Sequence, residues 1–294
     1  MQPTQIVIYG ANGWLGRSAI AISKSLQQES PEVSLLLIGS KQSSLVIDGK
    51  EFEIISQSDA AYFIQDDCMF LNAAFLRREK LHTMTTSSYI ERNTTISNFA
   101  LEQIKSKKVK HFINLSSGAA KPYDEKPLLL SEDPYGSLKF IWEKEFEDEC
   151  SVRDINFLNC RIYSLLGRFI NEFDNLAVSS FFQQGIRQKL IHVKAPKCQR
   201  TFVDAEQLVS LLFHMVLREK SRRIDSGGTL TSLENLALTV LEVLDLEGEN
   251  VTKGNEYSPD YFGSFQEFNS LCNSINLEVL GLHTQVSKTS KAFL

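Results

Sequence analysis

The sequence predicts an α/β protein built on a doubly wound parallel sheet, and three observations predict it. Short, nearly continuous apolar runs recur through the first half, as strands covered on both faces require. Helix-period segments alternate with these runs. The first run, Ile6-Val7-Ile8-Tyr9, opens directly onto Gly10-Ala11-Asn12-Gly13-Trp14-Leu15-Gly16, which reads as strand, tight turn and helix start.

The remaining elements follow in order. A helix is expected from about Ala19, and a second strand, Val33-Ser34-Leu35-Leu36-Leu37-Ile38, ends at Gly39-Ser40-Lys41. Residues 52–55 read as a third strand. Residues 68–71 read as a fourth, closing at Asn72-Ala73-Ala74. A helix over 89–107 leads to a strand over 109–115 that stops at Ser116-Ser117-Gly118. After Pro134 a helix over 135–150 places Trp142 and Phe146 in the core, and 155–160 is a further strand. Residues 167–196 are less regular, with the apolar pair Phe181-Phe182 and a strand-like 190–193. Helices are expected over 206–216 and over 233–244, the latter behind a Thr231-Ser232-Leu233-Glu234 capping box. The chain beyond Gly248 is weakly patterned and reads as frayed from about Ser287. The expected partition is a larger, sheet-bearing domain over 1–165 plus about 200–230 and a smaller, discontinuous domain over about 166–199 plus 231–294.

The glycine turn proposes a ligand. Backbone N–H groups at a helix N-terminus hold a pyrophosphate through hydrogen bonds and the helix dipole. Gly10 supplies an unusual φ, Gly13 lets the main chain approach the ligand, and Gly16 lets the helix pack on the strand. In a doubly wound sheet ligands sit beyond the carboxyl ends of the strands, where Asn72, Ser116 and Ser117 also fall. At the helix start, Tyr135-Gly136-Ser137-Leu138-Lys139 puts Tyr and Lys on one face, one turn apart. An ammonium beside a phenol favours the phenolate, so such a tyrosine exchanges a proton with a substrate oxygen. Ser117 is placed to hydrogen-bond that oxygen.

Composition excludes other classes. A formal net charge of −5 and a pI near 5.7 disfavour nucleic acid or an anionic membrane as the partner. No apolar run approaches the ~18 residues of a spanning helix, and the first strand starts too early for a leader peptide, so a cytoplasmic protein is expected. Five scattered cysteines fit reduced thiols, and with five unclustered histidines they leave no metal site expected.

Taken together these motifs resemble the extended short-chain dehydrogenase/reductases, the NAD-dependent epimerase/dehydratase group that acts largely on nucleotide sugars. The Gly10/Gly13/Gly16 spacing is that branch's form. Asn72-Ala73-Ala74 resembles its fourth-strand end, and Asn93 its helix asparagine. Phe112-Ile113-Asn114-Leu115-Ser116-Ser117 resembles the strand leading to its active serine. Pro134-Tyr135-Gly136-Ser137-Leu138-Lys139 resembles its P-Y-G-x-S-K signature with the small residue shifted by one. Arg161-Ile162-Tyr163-Ser164-Leu165-Leu166-Gly167 is similar to R-x-x-N-x-Y-G-P, with Ser164 replacing Asn and the Pro missing. Arg200-Thr201-Phe202-Val203 looks like R-D-F-I, and Asp225-Ser226-Gly227-Gly228 with Ser232-Leu233 like the G-x-G…S-L stretch.

The resemblance implies a Rossmann domain and a catalytic set of Ser117, Tyr135 and Lys139. It implies a cofactor site of Gly10, Asn12, Gly13, Trp14, Leu15, Gly16, Arg17, Ser40, Lys41, Asn72, Ala73, Ala74, Asn93, Tyr135, Lys139 and Tyr163. Ser117 and Arg200 would touch the substrate, Arg200 at a diphosphate. A homodimer through the 89–107 and 135–150 helices is also implied. The departures narrow the reaction. Gly118-Ala119 stands where dehydratases carry an Asp-Glu pair, and there is no Cys as in the epimerase-reductases of the fucose pathway. Ser40-Lys41, in place of an acid, with Arg17, suits the 2′-phosphate of NADP over the ribose of NAD. The expectation is therefore an NADP-dependent reductase of a keto group on a nucleotide-activated sugar. An epimerase with tightly bound NAD and a non-catalytic dinucleotide sensor are the alternatives.

Overall fold

The computed structural model describes residues 3–171, 176–218 and 221–294. The chain divides into two compact units, Met1–Arg161 with Leu212–Ile224, and Ile162–Leu211 with Asp225–Leu294. Residues 162–165, 200–211 and 225–230, expected in the first unit, belong to the second. Residues 172–175 and 219–220 of the expected ranges lie outside the described residues.

The first unit opens β1 (Gln5–Tyr9), α1 (Trp14–Glu29), β2 (Ser34–Gly39), β3 (Ser43–Ile47), β4 (Lys50–Ser56), α2 (Gln57–Ala60) and β5 (Cys68–Asn72). It continues α3 (Thr86–Lys105), β6 (Val109–Ser117), α4 (Pro134–Val152) and β7 (Asn156–Ile162). The chain then runs β8 (Ser164–Leu166), α5 (Ala177–Gln188), β9 (Ile191–Val193), β10 (Gln199–Asp204), α6 (Ala205–Arg218) and β11 (Arg222–Asp225). Last come β12 (Thr229–Ser232), α7 (Leu233–Val243), β13 (Val251–Lys253), α8 (Phe265–Ser274) and α9 (Leu282–Ser290).

The large sheet has the order β11-β7-β6-β5-β1-β2-β4-β3. The chain moves outward from β1 through β2 to β4, then returns to β5 on the other side of β1. Strand order thus reverses between β1 and β5, where a doubly wound sheet opens its ligand crevice. The pairs β1–β2, β1–β5, β2–β4 and β5–β6 are parallel. Alternate residues serve the two faces. Val7, Tyr9, Leu36, Ile38, Phe70, Phe112 and Phe157 form one core with α3 and α4. Ile6, Ile8, Leu37, Leu71, Ile113 and Leu158, of opposite parity, are buried as well. Phe112 stacks between Phe70 and Phe157 at 5.5 and 6.2 Å, and Phe146 closes on it from α4 at 5.1 Å.

The edge of this sheet differs from expectation. Before the expected third strand lies β3, paired antiparallel with β4. The two are joined at Asp48-Gly49, with φ of +49° and +73°. Both central residues at positive φ make the tight turn whose twist suits a hairpin.

In the second unit β12-β10-β8 form one small sheet and β13-β9 another. The irregular 167–196 stretch contains a full helix, α5, with Phe181 and Phe182 buried. Its Gly185 sits so close to Leu244 that a Cβ would stand 2.6 Å from Leu244 Cδ1. The cap of α7 is Ser232, whose Oγ accepts from Asn235 N, while Thr231 takes Asn235 Nδ2 and Glu234 pairs with Lys253. The expected box thus begins one residue later and lacks its glutamate. The end of the chain is not frayed: Gln285, Val286 and Thr289 of α9 are fully buried. Lys288 reaches the buried Asp204 at 2.6 Å and Glu206 at 3.0 Å.

All five cysteines are buried, and none is joined in a disulfide. No described helix is long and apolar enough to cross a membrane, and the described residues hold no metal-ligating cluster.

Candidate active site

The glycine turn is built by close approach. Gly10 has φ +90°, and a Cβ on it would lie 2.7 Å from Ala73 C and Ala74 N. Gly16 faces Gly10 O and Ala11 Cα so closely that any side chain there collides with backbone. Gly10 N and Ala11 N donate to Ile38 O, tying the turn to the end of β2. Gly13 is exposed, and a Cβ on it meets only Gly10 O, at 3.3 Å. Its outer side is open, and the first turn of α1 carries no acid. This is a cradle of backbone donors at a helix N-terminus, and it fits the pyrophosphate of a dinucleotide. Asn12 is exposed, Trp14, Leu15 and Arg17 are half-buried along the first turn of α1, and Ser40 and Lys41 are exposed just past β2. Asn12 Nδ2 lies 3.5 Å from Ser43 Oγ, so it borders the same corner.

From that turn a chain of contacts leads to Tyr135 and Lys139, two of the expected catalytic residues. Ala73 and Ala74 pack on Gly10, with Ala73 N donating to Tyr9 O at 2.8 Å. One residue on, the Phe75 ring meets Tyr135 edge-on at 6.0 Å and lies 4.0 Å from the Lys139 Nζ. Lys139 is buried and donates to Leu115 O at 2.8 Å. Burial lowers its pKa to about 7, against the charge of Glu143, which raises it. Ser117 ends β6 and caps the segment Gly118–Asp124, its Oγ accepting from Ala119 N. Gly136 lets α4 start directly against that segment, since a Cβ there would stand 2.6 Å from Ala119 O. Asp133 caps α4 through Gly136 N, with Pro134 in its first turn.

Asn72 and Asn93 have internal partners. Asn72 Nδ2 donates to Asn114 Oδ1, and Asn114 Nδ2 to Asn159 Oδ1, at 3.0 and 2.7 Å. The three amides form a buried ladder across β5, β6 and β7, one layer above the stacked phenylalanines. Asn93 is fully buried, accepting from Leu76 N and donating to Tyr89 O. These bonds tie Asn72 to β6 and Asn93 to the segment after β5, while Asn72 Oδ1 is buried with no hydrogen-bond partner among the described residues.

Two expected residues belong to the second unit. Tyr163 O–H donates to Asp225 at 3.1 Å. Arg200 lies 5.7 Å from the Tyr261 ring, and its Nε is buried with no hydrogen-bond partner among the described residues. The same unit holds a pocket of about 380 Å³ between α5 and the β9 segment, bordered by Phe181, Gln184, His192 and Lys194.

Sequence reasoning missed Phe75, Arg78 and Glu143. Arg78 pairs with Asp133 at 3.3 Å and sits 5.1 Å from the Tyr135 ring. Nothing in the local pattern marks Phe75 or Arg78. Lys139-x-x-x-Glu143 was visible as a one-turn pair.

Solved structures of similar fold include nucleotide-sugar enzymes. The UDP-N-acetylglucosamine 4-epimerase from Methanobrevibacter ruminantium M1, in complex with UDP-N-acetylmuramic acid, superposes with a TM-score of 0.78 at 15% identity over 100% of this chain and 99% of that one. For the UDP-glucose 4-epimerase from Thermotoga maritima with UDP-glucose the score is 0.74, at 16% identity and 98% of each chain. The UDP-glucuronic acid 4-epimerase from Bacillus cereus, in complex with NAD, scores 0.72 at 15% identity, again over 98% of each. Identity this low speaks for the fold alone. No curated protein matches in sequence. Residues 6–227, however, match a family as such. That match spans the Rossmann elements and Tyr135 through Arg200, and on it the chain belongs to the NAD dependent epimerase/dehydratase family.

Proposed function

We propose that this protein is an NAD(P)-dependent enzyme of nucleotide-sugar metabolism that works at a carbinol or keto carbon through Ser117, Tyr135 and Lys139. The observation that carries the reading is the unbroken run of contacts from Gly10 through Ala73, Ala74 and Phe75 to Tyr135 and Lys139. It joins a pyrophosphate cradle to an acid–base pair within one unit. A bound nicotinamide dinucleotide supplies the hydride chemistry. The chain's own residues manage the proton. Tyr135 exchanges it with the substrate oxygen, and Ser117, whose Oγ accepts from Ala119 N, keeps its O–H to donate to that oxygen. Lys139 supplies the neighbouring cation and holds the nicotinamide ribose. Gly118-Ala119 offers neither acid nor base, so elimination of water is disfavoured.

In the second unit, Arg200 with its unpaired buried Nε suits a diphosphate, and the pocket beside α5 has the size of a nucleoside site. Both support a nucleotide-activated sugar as substrate. Epimerisation is supported by the company of 4-epimerases among the similar folds. The reductase reading rests on a separate observation, the exposed Ser40-Lys41 after β2 with no acid at the strand end. The expected homodimer through α3 and α4 would have to match charges, since Glu91, Arg92, Asn98, Glu102, Lys144, Glu145 and Asp148 are exposed along those helices.

Two measurements test the proposal. Tyr135→Phe keeps dinucleotide affinity and lowers turnover of a UDP-sugar panel by about 10²–10⁴-fold; turnover equal to wild type removes the mechanism. Denaturing the purified protein and identifying the released nucleotide separates the two reactions. Stoichiometric NAD selects the epimerase, and an empty protein that binds NADPH selects the reductase.

A further inference from the structure

Behind the catalytic set lies a buried ionic network that the proposed chemistry does not use. Glu143 is fully buried on α4, one turn beyond Lys139. Its carboxylate accepts from Ser116 Oγ at 2.5 Å, from Arg161 Nε at 3.0 and 3.1 Å, and from Arg161 Nη2 at 2.7 Å. Arg161, on β7 and 2% exposed, also pairs with Asp124, the last residue of the segment that Ser117 caps. Arg223 of β11 closes the outer side, reaching Asp124 at 3.1 Å and Glu147 at 3.3 Å.

A carboxylate with this much contact has a defined job. Removing two charges from water costs several kcal/mol per ion, and replacing such a pair by apolar residues is often stabilising. Stability alone therefore does not account for it. The network's geometry does: Ser116 precedes Ser117 on β6, Asp124 ends the turn Ser117 begins, and α4 carries Tyr135 and Lys139. The Glu143 carboxylate ties α4 to β6 directly and, through Arg161, to Asp124.

We propose that Glu143 is the positioning residue of this site, locking the serine-bearing end of β6 to the helix that carries Tyr135 and Lys139 and placing a carboxylate one helical turn from the Lys139 amine. The proposal rests on the catalytic reading given above. The charged and titratable groups around Lys139 are few. Tyr135 and Glu143 share its helix, Arg78 stands over Tyr135 from the segment after β5, and Tyr89 of α3 donates to Leu76 O. β6 offers the Leu115 carbonyl and Ser116. Of these, the Glu143 carboxylate is the charge that acts on Lys139 against its burial. Arg161, beyond it, anchors that carboxylate.

Charge and packing are separated by two substitutions. Glu143→Gln keeps the shape and removes the charge; Glu143→Asp keeps the charge. Lys139 is titrated by NMR in ¹³C-lysine-labelled protein, with Lys139→Met assigning its signal. NAD⁺ affinity is followed across pH by tryptophan quenching. In Glu143→Gln the Lys139 midpoint falls by about one pH unit, and the alkaline loss of NAD⁺ affinity moves down with it. Glu143→Asp restores both. An unchanged midpoint and NAD⁺ profile in folded Glu143→Gln overturns the proposal, as does Glu143→Asp behaving like Glu143→Gln. Should Glu143→Gln not fold, Glu143→Met/Arg161→Met replaces the pair with apolar side chains, and because the more distant Arg161 cation leaves with the carboxylate, a smaller fall of the midpoint in the same direction is expected. An unchanged one again overturns the proposal. Failure of the catalytic reading shows up elsewhere, as turnover retained by Tyr135→Phe, and leaves the Lys139 titration standing.

Discussion

Lys139 carries a cost that its neighbours do not remove. Its buried ammonium holds one protein hydrogen bond, to Leu115 O, and rests against the Phe75 ring. Burial draws its pKa down to about 7 from 10.5. Above 10.5 the lysine is neutral in folded and unfolded chains alike. As pH falls toward 7 the unfolded chain binds the proton first, so stability decreases with falling pH over that window and levels off below it. Lys139→Met should therefore stabilise the cofactor-free protein most at pH 6, by a few kcal/mol at about 1.4 kcal/mol per pH unit, seen as a higher melting temperature. The gain should shrink toward pH 10, as read by thermal unfolding across pH. A gain independent of pH would assign the effect to packing. Such a cost at a site residue fits a group kept for chemistry rather than for stability.

At the scale of elements, the turns separate residues kept for ligand from residues kept for fold. Gly16→Ala drives a methyl into Gly10 O and Ala11, and Gly10 itself packs on Ala73 and Ala74. The variant should lose NAD⁺ binding along with stability. Gly49 has φ +73° but open space around it. There Gly49→Ala should cost only about 1 kcal/mol of backbone strain and leave NAD⁺ affinity unchanged. Calorimetry with and without NAD⁺ distinguishes the two outcomes. The hairpin that holds Gly49 was legible in principle. Asp48-Gly49 lies between Ser43-Ser44-Leu45-Val46-Ile47 and Lys50-Glu51-Phe52-Glu53-Ile54, runs with the alternation of half-buried strands. Helix α5 was harder to see, because Ser179, Ser180 and Gly185 depress its propensity and only packing on α7 decides the matter.

For the whole chain, its C-terminal helix is structural in a way its composition conceals. α9 buries Gln285, Thr289 and Ser290 beside Val286, so hydrogen bonds do what apolar periodicity does elsewhere. Thr289 Oγ1 accepts from Gly167 N at 2.8 Å, and Gln285 Nε2 donates to Leu280 O at 2.7 Å. Lys288 neutralises Asp204, which is fully buried. Lys288→Met leaves that carboxylate without its cation and should destabilise the chain by about 3 kcal/mol, measured by denaturant unfolding. A variant as stable as wild type would show that Asp204 is held by Gln207 N alone. The whole-molecule expectation of a homodimer has its own check. An association that matches charges across polar helix faces weakens as salt rises, which sedimentation velocity at low and high ionic strength would reveal.

The amino-acid sequence by itself determined the strand–turn–helix at Gly10, the parallel sheet, the family, and the candidate roles of Ser117, Tyr135 and Lys139. These are encoded locally, in glycine spacing, apolar runs and a one-turn Tyr–Lys pair. Only the tertiary structure decided what surrounds them. It turned Asn72 and Asn93 inward, set Phe75 against Lys139 and Tyr135, and gathered Ser116, Asp124, Glu143 and Arg161 into one buried network. Those partners come from different strands and helices. Their meeting depends on strand order and on glycines that let backbones touch, and neither is written in any single stretch of chain.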